Sequence, residues 1–178
     1  MFKRGKVRDK LDKPGNVIIL GVGDLAATMQ PGAILKTYAL GSCVALMILD
    51  KKTRCVSMAH VVLPEMKISP EKVNKLPGYF ADTAVEALFD AMKCETKGII
   101  SAPCDLIVKI CGGANVVDDA NTFNIGKRNA LGIKKSLWKY GLAPRSDDTG
   151  GNFSRTVTLY QANGVVEISS PNKENWKI

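Results

Sequence analysis

The chain has 178 residues, is 46% hydrophobic, and carries a net charge of +8 with five cysteines and a single histidine. That length suits one domain with a core large enough to need no metal or disulfide support. No apolar run approaches the roughly 18 residues that span a bilayer, and the start lacks the apolar stretch of a signal peptide, so a cytoplasmic protein without membrane insertion is expected.

Residues 1–15 form a basic head, with Lys3, Arg4, Lys6, Arg8, Lys10 and Lys13 set against Asp9 and Asp12 and closed by Pro14-Gly15. Residues 16–178 read as one domain. Asn16 to Leu20 reads as a strand, and the glycine-punctuated stretch Gly21-Val22-Gly23-Asp24 follows it. Pro31-Gly32 is a turn signal. Ala33 to Thr37 looks extended. Val44 to Leu49 is a short apolar run of buried-strand type, and Cys55 to His60 returns after the polar Asp50–Thr53. A Lys-, Glu- and Pro-rich loop covers 65–78. Ala84, Val85, Leu88, Phe89 and Met92 then share one helical face. Asp105 to Cys111 contains a further strand, stopped by Gly112-Gly113. A second helix is predicted over 125–140, with Gly141 as its C-terminal cap. Thr156 to Gln161 and Val165 to Ile168 form a hairpin about Ala162-Asn163-Gly164. Hairpins with interspersed helices predict an α+β fold, a layered sandwich. Trp176 is expected to dock a tail on the core.

The five cysteines, Cys43, Cys55, Cys94, Cys104 and Cys111, are odd in number and show no paired zinc-ligand spacing. They argue against a disulfide framework, and no metal or organic cofactor is expected. Nucleic-acid binding rests on charge alone, without clustered aromatics or a known motif, and is not expected. Gly112-Gly113 and Gly150-Gly151 lack the Gly-Lys-Ser/Thr of a phosphate loop.

A nucleophilic cysteine needs a base, a group that orients the base, and donors for the oxyanion. His60 is the only histidine, so any Cys–His pair must use it. If Lys51-Lys52 is a two-residue hairpin loop, Asp50 faces Thr53, and counting back puts Cys43 opposite His60 on the same face. Cys55, at odd spacing from His60 on its own strand, falls on the other face. Thr37 lies six residues before Cys43, on the same face if the segment stays extended, and its hydroxyl is placed to hold the imidazole. Gly41 and Ser42 offer backbone N–H groups to an oxyanion. An imidazolium beside Cys43 is expected to favour the thiolate. On spacing alone, a structural histidine and an inert buried thiol remain the ordinary alternative.

The same residues carry a family resemblance. Leu40-Gly41-Ser42-Cys43-Val44, Met58-Ala59-His60 and Leu63-Pro64 resemble the signature of the CheD family, the chemoreceptor glutamine deamidases. So do Lys109–Asn115, Ile125–Asn129 and Asp148–Asn152 with Arg155, in order and at plausible spacing. Tyr38 and Cys111 depart from the family pattern, and neither belongs to the expected triad. The resemblance implies a catalytic triad of Cys43, His60 and Thr37 and a fold related to the catalytic domain of cytotoxic necrotizing factor toxins. It implies hydrolysis of glutamine side-chain amides on the cytoplasmic helices of chemoreceptors, with methylesterase action on receptor methyl esters as a related possibility. It also implies a CheC-type phosphatase as partner, and a protein acting mainly as an adaptor is the alternative. Asn115 and Asn152 are candidate substrate contacts at the glycine-rich turns.

Overall fold

The computed structural model describes residues 16–116 and 124–178. The basic head lies outside the described residues.

Among the described residues the strands are β1 (Val17–Leu20), β2 (Leu25–Thr28), β3 (Ile34–Leu40), β4 (Val44–Asp50), β5 (Val56–Val61), β6 (Leu106–Gly112), β7 (Pro144–Thr149), β8 (Arg155–Tyr160), β9 (Val166–Ser169) and β10 (Trp176–Lys177). Helix α1 covers Ala81–Glu95 and helix α2 Ile125–Trp138. The strands form two five-stranded sheets, β1-β3-β8-β9-β10 and β2-β5-β4-β6-β7. The fold is mixed α+β, as expected, but its sheets are not built from hairpins alone. β1 runs parallel to β3, and β6 runs parallel to β7.

Burial periodicity explains the layering. In β3 and β8 buried residues alternate with more exposed ones, so that sheet has one solvated face. Every residue of β4 and β5 is buried, so that sheet is covered on both faces. Leu35, Ala45, Met47, Met58, Val157 and Leu159 pack between the sheets. Val44, Leu46, Ile48, Ala59, Leu88, Ile133 and Leu137 pack between the central sheet and the helices. Helices, central sheet and outer sheet thus make three layers with two apolar seams. The predicted face of α1 is the buried one. Gly141, at φ +66°, ends α2 with its N–H on Trp138 O and the Leu142 N–H on Leu137 O.

The β4–β5 turn differs from the predicted two-residue loop. Asp50 N–H donates to Cys55 O at 2.9 Å, and Arg54 takes the left-handed conformation at φ +63°. The connection is therefore Lys51–Arg54. Its nucleus is the Asp50 carboxylate, which accepts from the N–H groups of Lys52 (2.9 Å) and Thr53 (3.2 Å). The register moves by two residues, and His60 pairs with Ala45. Because side chains alternate with period two, this shift keeps Cys43 and His60 on one face.

Candidate active site

Three chain segments converge where the two sheets meet. β5 delivers His60 into the seam between the sheets, where it is 4% exposed. β3 delivers Thr37 from the opposite sheet, fully buried. Its Oγ1 lies 2.7 Å from His60 Nδ1. Thr37 therefore reaches the histidine across the sandwich. The expectation of an extended segment joining Thr37 to Cys43 on one face does not hold, because β3 and β4 belong to different sheets. Between them β3 bulges, with Ala39 at φ +54°, and the chain crosses to the central sheet at Gly41-Ser42.

The hydroxyl hydrogen of Thr37 has its own acceptor, Leu20 O at 2.9 Å, on the neighbouring strand β1. A hydroxyl donates once, so toward the imidazole Thr37 acts as acceptor, and Nδ1 carries the hydrogen. In the neutral ring this leaves the lone pair on Nε2.

Cys43 stands just before β4 and packs against the same apolar seam as His60. Its position is diagonal to His60, two residues from the directly opposed Ala45. Diagonal partners in antiparallel strands lie about 7–8 Å apart, a span within reach of long and aromatic side chains such as the imidazole.

Electrostatics correct one expectation. Burial pushes the Cys43 thiol above its ordinary value. Burial lowers His60, with the Asp24 charge opposing that effect only in part. Burial thus disfavours the charged form of each group, the opposite of the imidazolium-held thiolate that the sequence predicts. The other seam thiol, Cys111, is pushed up to about 12, chiefly by burial. Cys55 lies on the helix-facing side of the sheet and is likewise raised to about 12 by burial.

The mouth is knitted by backbone bonds among three glycine-bearing segments. Gly113 N–H donates to Cys43 O and Ala114 N–H to Gly41 O, both at 2.7 Å. Asn115 N–H donates to Gly151 O and Gly150 N–H to Gly112 O, both at 2.8 Å. Gly112 sits at φ +114°, and a Cβ there would run into the Cys43 carbonyl. The exposed Ser42, Asn115 and Asn152 thus belong to one neighbourhood with Gly41 and Cys43. Arg155 braces it from below, donating to Gly150 O at 2.8 Å and to Asp148 Oδ1 at 3.0 Å. Trp176 docks on the same carboxylate, its Nε1 2.5 Å from Asp148 Oδ2.

The sequence places Asn129 in a family-like segment and Asp24 in a glycine-punctuated stretch, but assigns neither a role at the site. Asn129 is fully buried on α2, and its Nδ2 donates to Ser42 O and Val62 O, both at 2.9 Å. Gly126, one helical turn earlier, lets α2 sit against Gly113, since a Cβ there would strike the Gly113 carbonyl. The signal available in the sequence was this Gly-x-x-Asn spacing, which puts both residues on one helix face. Asp24 accepts the His60 N–H through its own backbone oxygen at 2.9 Å.

Among the described residues no helix is long and apolar enough to cross a membrane.

Comparison with known proteins places the chain in a family. The profile described as "CheD chemotactic sensory transduction" matches residues 62–170. A protein of Syntrophotalea carbinolica named "Probable chemoreceptor glutamine deamidase CheD" is 44% identical over 164 residues, covering 90% of this chain and 98% of that one. "Probable chemoreceptor glutamine deamidase CheD 1" of Syntrophus aciditrophicus is 38% identical over 153 residues, covering 86% and 93%. "Chemoreceptor glutamine deamidase CheD" of Thermotoga maritima is 40% identical over 139 residues, covering 78% and 82%. Among solved structures, a Bacillus licheniformis hypothetical protein, YfiH, superposes with a TM-score of 0.42 at 14% identity, covering 71% of this chain and 50% of that one, too slight a likeness to bear on fold or function. With a family profile across most of the domain and relatives matched along nearly their whole length, the chain belongs to the CheD family.

Proposed function

We propose that this protein is a cysteine-dependent deamidase that converts glutamine side chains on the cytoplasmic helices of chemoreceptors to glutamate. The observation that carries the proposal is the oriented pair Thr37–His60, in which the threonine's own hydrogen is spent on Leu20 O and Nε2 is left as a base. The relatives' names supply the substrate class.

The steps follow from that orientation. As the Cys43 sulfur bonds to the amide carbon, its proton passes to His60 Nε2, and the carbonyl oxygen becomes an oxyanion. The carbon–nitrogen bond then breaks, and the leaving nitrogen departs as ammonia with the proton from Nε2. Water attacks the thioester while giving a proton to Nε2. Glutamate leaves, and the sulfur recovers its proton. The raised thiol and lowered imidazole fit this scheme, because the base must be neutral when substrate arrives. Gly41 and Ser42 contribute the oxyanion backbone in this scheme, and Asn115 and Asn152 contact substrate at the mouth.

Charge fits an acidic helical substrate. Helix α2 contains no acidic residue, and its solvent side exposes Lys127, Arg128, Leu131, Lys135 and Trp138, the last 71% exposed. Work on receptor cytoplasmic helices implies a cytoplasmic enzyme. Fold kinship with the cytotoxic necrotizing factor catalytic domain and partnership with a CheC-type phosphatase are parts of the proposal that rest on the family resemblance. Methylesterase action would use the same residues.

Intact-peptide mass spectrometry of receptor fragments tests the proposal. The protein should add about one dalton per modified glutamine and release ammonia. Binding of the fragment with no mass gain would make the protein an adaptor and overturn the enzyme assignment.

A further inference from the structure

Antiparallel strands β4 and β5 stay paired up to Val44–Val61 and then part. Past that point, two carbonyls that the ladder no longer serves, Ser42 O and Val62 O, turn to one side-chain amide. Asn129 Nδ2 fills the gap with one hydrogen to each, both at 2.9 Å. The amide has no freedom to swing, because it is fully buried and its helix is seated against Gly113 through Gly126.

Pinning the Ser42 carbonyl fixes more than that oxygen. In a trans peptide the C=O of one residue and the N–H of the next point in opposite directions. With Ser42 O held toward Asn129 on the β5 side, the Cys43 N–H is aimed away from it, toward the β6 side. There the ladder also fails. Gly113 N–H still donates to Cys43 O, but Gly112 and Gly113 take φ +114° and +62° and turn the chain aside. Among the described residues no backbone or side-chain acceptor takes the Cys43 N–H.

We infer that Asn129 is a positioning residue for the reaction: by clamping the Ser42 and Val62 carbonyls, it locks the Ser42–Cys43 peptide so that the Cys43 N–H serves as a preset donor to the oxyanion. The inference rests on the deamidase proposal and deepens it. An unpaired N–H adjoining the nucleophile's own sulfur lies where the carbonyl oxygen of an attacked amide acquires charge. A donor already fixed there costs no reorganisation during the reaction. Asn suits the task because its two N–H hydrogens serve two carbonyls at once. Asp removes both donors at constant shape, and Ala removes the group.

Variants Asn129→Asp and Asn129→Ala separate this role from a merely structural one. Alkylation of Cys43 by iodoacetamide needs the thiolate but forms no oxyanion. Deamidation needs both. Each folded variant should lose about 10²-fold in kcat on a receptor fragment, in line with loss of an oxyanion donor. KM and the Cys43 alkylation rate, followed by peptide mapping, should stay within about twofold, as for an interaction made only in the transition state. Unchanged kcat, or kcat and alkylation falling together, would overturn the inference. A second measurement uses the wild-type protein and so does not depend on how the variants fold. A receptor peptide bearing an aldehyde in place of the glutamine amide adds the Cys43 thiol across its carbonyl, with sulfur bonding to carbon and the thiol proton passing to oxygen. The Cys43 amide proton should then move downfield in the NMR spectrum, and a resonance that stays put would overturn the inference. Absence of deamidation by the wild type would instead remove the deamidase proposal, so the two failures are distinct.

Discussion

The hairpin of β4 and β5 ends in two unlike ways. At the turn, the Asp50 carboxylate gathers N–H groups from Lys52, Thr53 and Ser101, at 2.9–3.2 Å. At the open end, the Asn129 amide gathers the carbonyls of Ser42 and Val62. Each end thus replaces missing ladder bonds with one side chain. At the turn the acceptor is an aspartate of the hairpin itself, and two of its three donors, Lys52 and Thr53, lie in the loop it closes. At the open end the donor comes from a helix far along the chain, and among the described residues nothing accepts the Cys43 N–H. The turn serves stability, and in the proposal the open end serves chemistry.

Four substitutions or conditions probe that contrast, beginning with the largest effect. His60→Ala removes the proposed base and should lower kcat about 10³-fold, the scale of general-base catalysis. Steady-state ammonia release checks it. A loss under tenfold would mean that the proton leaves Cys43 by another route.

Thr37→Val keeps the shape and removes the acceptor of the Nδ1–H. Freed from Thr37, the ring can turn or change tautomer, and kcat should fall about 10²-fold with KM little changed. The buried Nδ1–H then lacks its partner, costing about 1–3 kcal/mol of stability. Denaturant melts and kinetics on one preparation read both effects.

Asp50→Ala acts at the other end. It strands the N–H groups of the turn and should cost about 1–3 kcal/mol, with kcat unchanged. Although burial raises the Asp50 carboxyl, hydrogen bonds from Ser101, Thr53 and Lys52 outweigh it and hold the group below the usual range. Its stabilisation is thus present above the unfolded carboxylate value and lost as pH falls through the folded one. A parallel fall in kcat would show that the two ends are coupled.

The smallest effect is a shift in pH dependence. With His60 lowered, mainly by burial, the acid limb of kcat/KM should lie below the ordinary imidazole value of 6.5. For stability the sign is the same. Below pH 6.5 the unfolded chain protonates its histidine before the folded one does, so stability falls as pH drops toward the folded value. Conversely, Cys43 should alkylate slowly at neutral pH and faster in alkali, because its thiol is raised.

Much of this fold was legible because its pattern was strong. The double-sided burial of β4 and β5 shows as unbroken apolar runs, and the seam of α1 shows as helical spacing. Strands β2, β7 and β10 left no such mark. β7 reads Pro-Arg-Ser-Asp-Asp-Thr, a polar edge made a strand by parallel pairing with β6. Its acids find partners in three dimensions, Asp147 with Lys134 and Asp148 with Arg155 and Trp176. The reach of Thr37 to His60 was foreseen for the wrong reason. Alternation within one strand suggested it, whereas two sheets facing each other produce it. The hairpin register was two residues out because the Asp50 cap lengthens the loop, and the error was harmless only because two is the strand period. Asn129 stood in a family-like segment, but its role was not readable because its partners lie 87 and 67 residues away.

The central claim is that Cys43 attacks a glutamine carbonyl with His60 as its base. It is tested most directly by a receptor peptide whose target glutamine is replaced by a diazoketone isostere, a chemical trap that stays on the sulfur that attacks it. Peptide mapping should find the adduct on Cys43 in the wild type and lose it in His60→Ala. An adduct on the exposed Cys94 or Cys104 instead, or one on Cys43 indifferent to His60, would contradict the mechanism.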